Sequence, residues 1–189
     1  MATTADFKNG LCIKHNNNLW KIESFQHVKP GKGPAFVRTK MRNLNTSRLL
    51  ENTFTAGVKI EIVRIENRSY QFLYKEGDDI YHFMNQKNYE QIVIQKNLIN
   101  APQYLKESSI VDIMFHAEKE QPLSCTLPQN VNLKITFTEP GEKGNTATNA
   151  FKPAETETGA DVKVPLFINQ GDLIKIDTTN GNYIERVKE

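Results

Sequence analysis

Short runs in which apolar and polar side chains alternate recur along the whole 189-residue chain, and they leave little room for helix. The alternation is visible in Asn18–Ser24, Val58–Ile65, Tyr70–Tyr74, Val131–Phe137 and Leu173–Asp177, the period-two pattern of strands with one buried face. Turn-forming clusters separate them: Asn16-Asn17-Asn18, Glu76-Gly77-Asp78-Asp79, Glu139-Pro140-Gly141 and Asn180-Gly181-Asn182. The Asn180-Gly181 pair, between Leu173–Thr178 and Tyr183–Val187, predicts a hairpin with a type I′ turn, whose two central residues both need positive φ. One helical candidate, Asn97–Glu107, is interrupted by Ala101-Pro102 and predicts only a short helix or turn beginning near Pro102. The chain is therefore expected to be all-β and built from small barrels. Boundaries near Val63 and Pro128 divide it into modules 1–63, 64–128 and 129–189, each of about sixty residues and close to the lower limit for an independent core.

The formal charge of +2 hides an asymmetry. Up to Val63 there are ten Lys/Arg against four Asp/Glu, and beyond it fourteen against eighteen. A basic first module followed by an acidic remainder points to a polyanionic partner at one end, with RNA or DNA as the leading candidate. Cys12 and Cys125 stand far apart with no Cys-x-x-Cys pair, and His15, His27, His82 and His116 are scattered singly. That spacing supports neither a disulfide framework nor a zinc site nor a catalytic dyad, so buried thiols, no metal and no cofactor are expected. The N-terminus lacks a basic and apolar leader, and no apolar run approaches the ~18 residues that span a bilayer. A cytoplasmic protein without a membrane partner is expected.

Between two strand-like runs lies His27-Val28-Lys29-Pro30-Gly31-Lys32-Gly33-Pro34-Ala35-Phe36. Proline holds φ at about −65° and each glycine can take positive φ, so the chain should reverse around Lys32 with nothing bulky beside it. A four-carbon stem ending in an ammonium can then reach into a narrow cavity toward a phosphate or a modifying enzyme. The same residue types also build ordinary turns with a solvated lysine. A P-loop is excluded, because Gly33 stands where a Ser/Thr would hold magnesium and Gln26 where the earlier glycine is required.

Phe36–Arg42 follows directly. As a strand it puts Arg38, Lys40 and Arg42 on one face and Val37, Thr39 and Met41 on the other. Alternate strand residues lie about 7 Å apart, close to the spacing of successive phosphates, so the cationic row suits a nucleic-acid backbone, with Lys29 and Lys32 at the adjacent tip. Tyr81-His82-Phe83-Met84 combines rings that could stack on bases, though barrel core is the simpler reading. Tyr183 and Arg186 could join stacking to phosphate recognition, but three residues apart on a regular strand they face opposite sides.

The Pro30-Gly31-Lys32-Gly33 loop, Val37–Leu44, Tyr81-His82-Phe83-Met84-Asn85 and the C-terminal third resemble bacterial translation elongation factor P, over nearly the whole chain. The most specific segment runs Lys152-Pro153-Ala154, Gly159, Val162, Val164-Pro165, Ile168 and Gly171, and it fits that family's signature throughout. From its own residues, Val162–Ile168 reads as a buried strand with proline at an edge or bulge, so this segment is expected to encode folding.

The resemblance implies an SH3-like module followed by two OB-fold modules in an L-shaped, tRNA-like arrangement. It implies a factor, not an enzyme, that binds the ribosome between the peptidyl and exit sites. There it would stimulate peptide-bond formation on ribosomes stalled at consecutive prolines. Lys32 would be the effector, extended after translation by a lysine-modifying enzyme, with a β-lysyl group as one form. It would reach the CCA end of peptidyl-tRNA, while Pro30, Gly31 and Gly33 shape its loop. The resemblance adds Gly144, Asn145 and Thr146 as an RNA contact in the third module, beside Lys29, Arg38, Lys40, Arg42, Tyr183 and Arg186, which the residues themselves offer to tRNA or ribosomal RNA. The chain would act as a monomer. Two departures stand out: Gly144-Asn145-Thr146 replaces the family's common Gly-Asp-Thr, and Pro34 follows the tip lysine by two residues. A general single-stranded RNA-binding or RNA-chaperone protein is the alternative, since small β-barrels serve many such roles.

Overall fold

The computed structural model describes residues 2–140 and 151–188. Among them helix is limited to three single 3-10 turns, Thr4–Asp6, Lys96–Leu98 and Pro102–Tyr104. The last begins at Pro102, where the missing N–H costs nothing in a first turn. The Gly144-Asn145-Thr146 segment lies outside the described residues.

Strands form three five-stranded sheets among the described residues. The first holds β1 (Cys12–His15), β2 (Asn18–Val28), β3 (Phe36–Asn43), β4 (Leu49–Thr55) and β5 (Glu61–Ile62), in the order β4-β3-β2-β1-β5. The second holds β6 (Ile65–Glu76), β7 (Ile80–Asn85), β8 (Gln91–Gln95), β9 (Ile110–His116) and β10 (Gln121–Thr126), in the order β10-β9-β6-β7-β8. The third holds β11 (Asn130–Thr138), β12 (Phe151–Thr156), β13 (Asp161–Pro165), β14 (Leu173–Asp177) and β15 (Tyr183–Val187), in the order β13-β12-β11-β14-β15. The second and third sheets share one topology: a three-stranded meander whose first strand also pairs with the fourth. The fold is all-β, as the alternating pattern predicts.

Packing groups the chain into two compact units, Met1–Asn67 with Met114–Leu123, and Arg68–Ile113 with Ser124–Glu189. In the first, Ile13, Ile22, Val37 and Met41 are almost wholly inaccessible, and Phe7 meets Phe54 edge-on with centroids 5.4 Å apart. Fully burying each such side chain contributes about 1.5–3 kcal/mol. Trp20 keeps its indole N–H satisfied by donating to the His15 carbonyl at 3.0 Å. In the second unit, Phe72, Tyr81, Phe83 and Ile94 fill one interior, and Leu133, Ile135, Val164, Ile168, Ile174 and Ile176 another. Tyr81 and Phe83 are thus core, while His82 points outward and stacks on Tyr74 at 4.4 Å.

The signature segment proves to be folding information. Ala154, Val162, Val164 and Ile168 are buried, and Gly159 and Gly171 take φ of +76° and +92°. Lys152 is only 6% exposed, and its ammonium donates to the Glu139 carbonyl at 2.7 Å. β13 is an edge strand with Pro165 as its last residue, so proline interrupts no ladder.

Two local expectations are corrected. Val58–Ile65 is not one strand: β5 is only Glu61–Ile62, and β6 begins at Ile65. Lys59 bridges to Thr3 and the Val63 N–H donates to the Cys12 carbonyl, so the run serves different partners at its two ends. Burial accordingly loses its phase, with Ile62 exposed beside buried Val63.

The β14–β15 hairpin forms, but its turn is not type I′. Only Gly181 has positive φ, at +73°, and the loop runs from Thr178 to Asn182. Thr178 causes the lengthening. It is 4% exposed, its N–H donates to the Gln129 carbonyl at 2.8 Å, and its hydroxyl donates to the Pro128 carbonyl at 2.9 Å.

Candidate functional site

The hairpin of β2 and β3 carries the Lys32 loop. Its last pairs are His27 with Val37 and Val28 with Phe36, after which Lys29–Ala35 leaves the sheet with Lys32 as the middle residue. Lys29, Pro30, Gly31, Lys32, Gly33 and Pro34 are all exposed. Of the two glycines, each able to take positive φ, only Gly33 does so, at +113°. The prolines limit the freedom of both flanks. Among the described residues Lys32 is exposed and forms no ion pair with a carboxylate.

β3 alternates as its sequence predicts. Val37, Thr39 and Met41 are buried, while Arg38, Lys40 and Arg42 lie on the opposite face. Ser24 and Gln26 of β2 and Glu51 and Thr53 of β4 flank that row in register. A β-bulge at Glu23, between the pairs Ile22–Met41 and Ser24–Lys40, interrupts the ladder. Bulges re-aim side chains, and here the Glu23 carboxylate accepts from Arg42 Nε at 2.5 Å. A second Arg42 nitrogen donates to the Ser47 carbonyl at 3.1 Å. Arg42 is thereby tied to the fold. Arg38 lies 5.6 Å from the Phe36 ring centroid, and Lys40 has no ion pair among the described residues. Among the described residues the row therefore holds two cations outside any ion pair, Arg38 over a ring and Lys40, and one tied into the fold.

Tyr183 and Arg186 come together, contrary to the expectation that they face apart. Ile174 pairs with Arg186 and Ile176 with Tyr183, so β15 carries one extra residue, Ile184, between them. The bulge brings both side chains to the same face. The Arg186 backbone N–H also donates to the Tyr183 phenol, opposing the rise in its pKa that burial causes. The Arg186 guanidinium lies 3.7 Å from Asp172.

Both thiols are buried. Burial pushes Cys12 up, with Lys21 opposing, and pushes Cys125 up to about 12, with Asp112 adding to the rise. Among the described residues no His, Cys, Asp and Glu side chains cluster as a metal site, and no helix is long and apolar enough to cross a membrane. Tyr89, exposed in the turn between β7 and β8 with φ of +62°, is among the residues that the sequence reading passed over. The sign of φ at a tyrosine is not legible in sequence. The Asn that begins the turn, Asn85, is the only signal that could have located it.

Comparison with known families covers the chain end to end. Residues 3–60 match the Elongation factor P (EF-P) KOW-like domain, residues 65–125 the Elongation factor P (EF-P) OB domain, and residues 131–186 Elongation factor P, C-terminal. The Elongation factor P of Flavobacterium johnsoniae is 57% identical over 189 residues, and that of Christiangramia forsetii 54%, with all of both chains covered in each case. A translation initiation factor eif-5a family protein from Naegleria fowleri shares the fold, with a TM-score of 0.51 at 14% identity over 67% of this chain and 96% of that one. Fold and comparisons together define a translation factor assembled from small β-modules. The chain belongs to the elongation factor P family.

Proposed function

We propose that this elongation factor stimulates peptide-bond formation on ribosomes stalled at consecutive prolines, bound between the peptidyl and exit sites, with Lys32 directed to the CCA end of peptidyl-tRNA. In this reading the chain acts in the cytoplasm as modules 1–63, 64–128 and 129–189. The observation that carries it is the presentation of Lys32: mid-loop, exposed, flanked by Pro30, Gly31, Gly33 and Pro34, and free of any carboxylate among the described residues. Such a lysine is open to a modifying enzyme, which would lengthen its reach.

Proline is a slow substrate because its rigid ring and secondary nitrogen fit the geometry of attack poorly. Ordering the tRNA terminus restores a near-attack arrangement, so the contribution is positional rather than acid–base chemistry. Arg38 and Lys40, with Lys29 near the tip, meet RNA phosphates, while Arg42 chiefly holds the face in shape. Tyr183 and Arg186 offer a second RNA contact in the third module.

Lys32→Ala in a reconstituted translation assay tests this. The variant is expected to melt as the parent does and to lose stimulation of polyproline synthesis. Full stimulation by Lys32→Ala overturns the effector role.

A further inference from the structure

One hairpin turn recurs in all three modules. The N–H of Asn43 donates to the Arg48 carbonyl at 2.9 Å and that of Ser47 to the Asn43 carbonyl at 3.0 Å. Asn85 with Glu90 and Tyr89 repeats this at 2.9 and 3.0 Å, and Asp177 with Asn182 and Gly181 at 3.0 and 2.8 Å. In each turn the first side chain accepts a further backbone N–H: Asn43 Oδ1 from Asn45 at 2.9 Å, Asn85 Oδ1 from Lys87 at 2.8 Å, Asp177 Oδ1 from Thr179 at 2.7 Å. The fifth residue must be left-handed, with φ of +57° at Ser47, +62° at Tyr89 and +73° at Gly181.

Glycine meets that demand freely and serine is small, but a bulky aromatic residue there is strained. Strain of this kind persists where the surroundings over-determine it, and it points toward function. Tyr89 is not retained for packing, since at 71% exposure it is the most exposed large apolar side chain among the described residues.

The collar around the ring indicates what it meets. Gln86, Lys87, Asn88 and Glu90 are all exposed and polar, which does not suit an apolar protein pocket. Asn88 Nδ2 occupies the Glu90 carboxylate at 2.6 Å, and Lys87 has no ion pair among the described residues. The Gln86 amide is likewise engaged, donating to Gln71 at 3.2 Å. An exposed aromatic face beside a cation outside any ion pair is the pairing that stacks on a nucleobase and neutralises its phosphate. We propose that Tyr89 is a base-stacking residue that presents its ring to an unpaired nucleobase of ribosomal RNA, with Lys87 meeting the adjoining phosphate. This rests on the ribosome-binding reading above.

The test uses the full chain and purified ribosomes carrying a peptidyl-tRNA. Tyr89→Asn removes the ring but tolerates left-handed φ, so its melting temperature should equal or exceed the parent's. Its affinity for the ribosome should fall about ten-fold, while Tyr89→Phe stays within about two-fold. A ribosomal RNA base shielded from chemical modification by the parent should become reactive again with Tyr89→Asn. Unchanged affinity of Tyr89→Asn overturns the proposal. So does weakened binding with every base still shielded, which would assign the ring to a protein contact. If the parent chain itself fails to bind, the ribosome-binding reading falls, and the proposal with it.

Discussion

Glu23 and Arg42 form an ion pair across the first sheet, Oε1 to Nε at 2.5 Å, because the bulge at Glu23 turns its carboxylate onto the cationic face. Arg42 also holds the Ser47 carbonyl, so its guanidinium is committed to the hairpin turn. Arg42→Gln is expected to lower stability by about 1 kcal/mol, since both contacts are half-exposed, and to leave the salt dependence of ribosome binding nearly unchanged. Arg38→Gln and Lys40→Gln should do the reverse, each lowering the slope of log K against log salt by about one. Denaturant melts and binding titrations over a range of salt separate the two roles.

Gly181 is required twice. Its φ of +73° disfavours any side chain, and a Cβ built there would overlap the Tyr104 hydroxyl, with the ring carbon behind it at 3.5 Å. Gly181→Ala should therefore cost more than about 1 kcal/mol. Adding Tyr104→Phe removes the overlapping atom, so the double variant should recover part of the loss. A double-mutant cycle showing no coupling would mean that the backbone alone carries the cost.

Thr158 and Glu157 face the Pro102–Lys106 segment. The Thr158 hydroxyl donates to the Gln103 carbonyl at 2.7 Å, and Lys106 lies 2.8 Å from Glu157, whose carboxylate also accepts from the Lys134 N–H at 3.0 Å. Burial alone would raise the Glu157 pKa, but these donors outweigh it and the net shift is downward. A depressed carboxylate contributes stability above its unfolded value of about 4.3, and that contribution is lost as pH falls through the folded value. The pair is partly exposed and screened by solvent, so the loss should be at most about 1 kcal/mol. Glu157→Gln should remove this part of the acid dependence in melts between neutral pH and pH 3, and an unchanged profile would exclude the pair as its source.

Cys125 should resist alkylation. Its thiol is pushed up to about 12, so almost no thiolate exists at neutral pH, and the sulfur is inaccessible. A group with a raised folded pKa contributes stability that is complete below the unfolded value of about 8.5 and is lost as pH rises toward the folded one. Iodoacetamide at pH 8 should label Cys125 only after denaturation. Rapid labelling of the folded chain would contradict its burial.

What the sequence discloses depends on what sets each feature. The β3 alternation and the turn around Lys32 are written in local residue types, and both form where their residues predict. Register is not local. Nothing in Tyr183–Val187 announces the bulge at Ile184, because it is defined against β14, and it reverses the relation of Tyr183 to Arg186. Asn180-Gly181 predicts a hairpin but not its loop length, which Thr178 sets by bonding to Pro128 and Gln129 far along the chain. Likewise Arg42 reads as one of three equal cations until the bulged Glu23 claims it.

The most direct test is a cryo-electron microscopy map of this chain on a ribosome stalled at consecutive prolines. The Lys32 ammonium, or the group attached to it, should lie beside the CCA end of the peptidyl-tRNA, with Arg38 and Lys40 against RNA phosphates. A map with the Lys29–Ala35 loop pointing into bulk solvent, away from the tRNA terminus, would contradict the role assigned to Lys32.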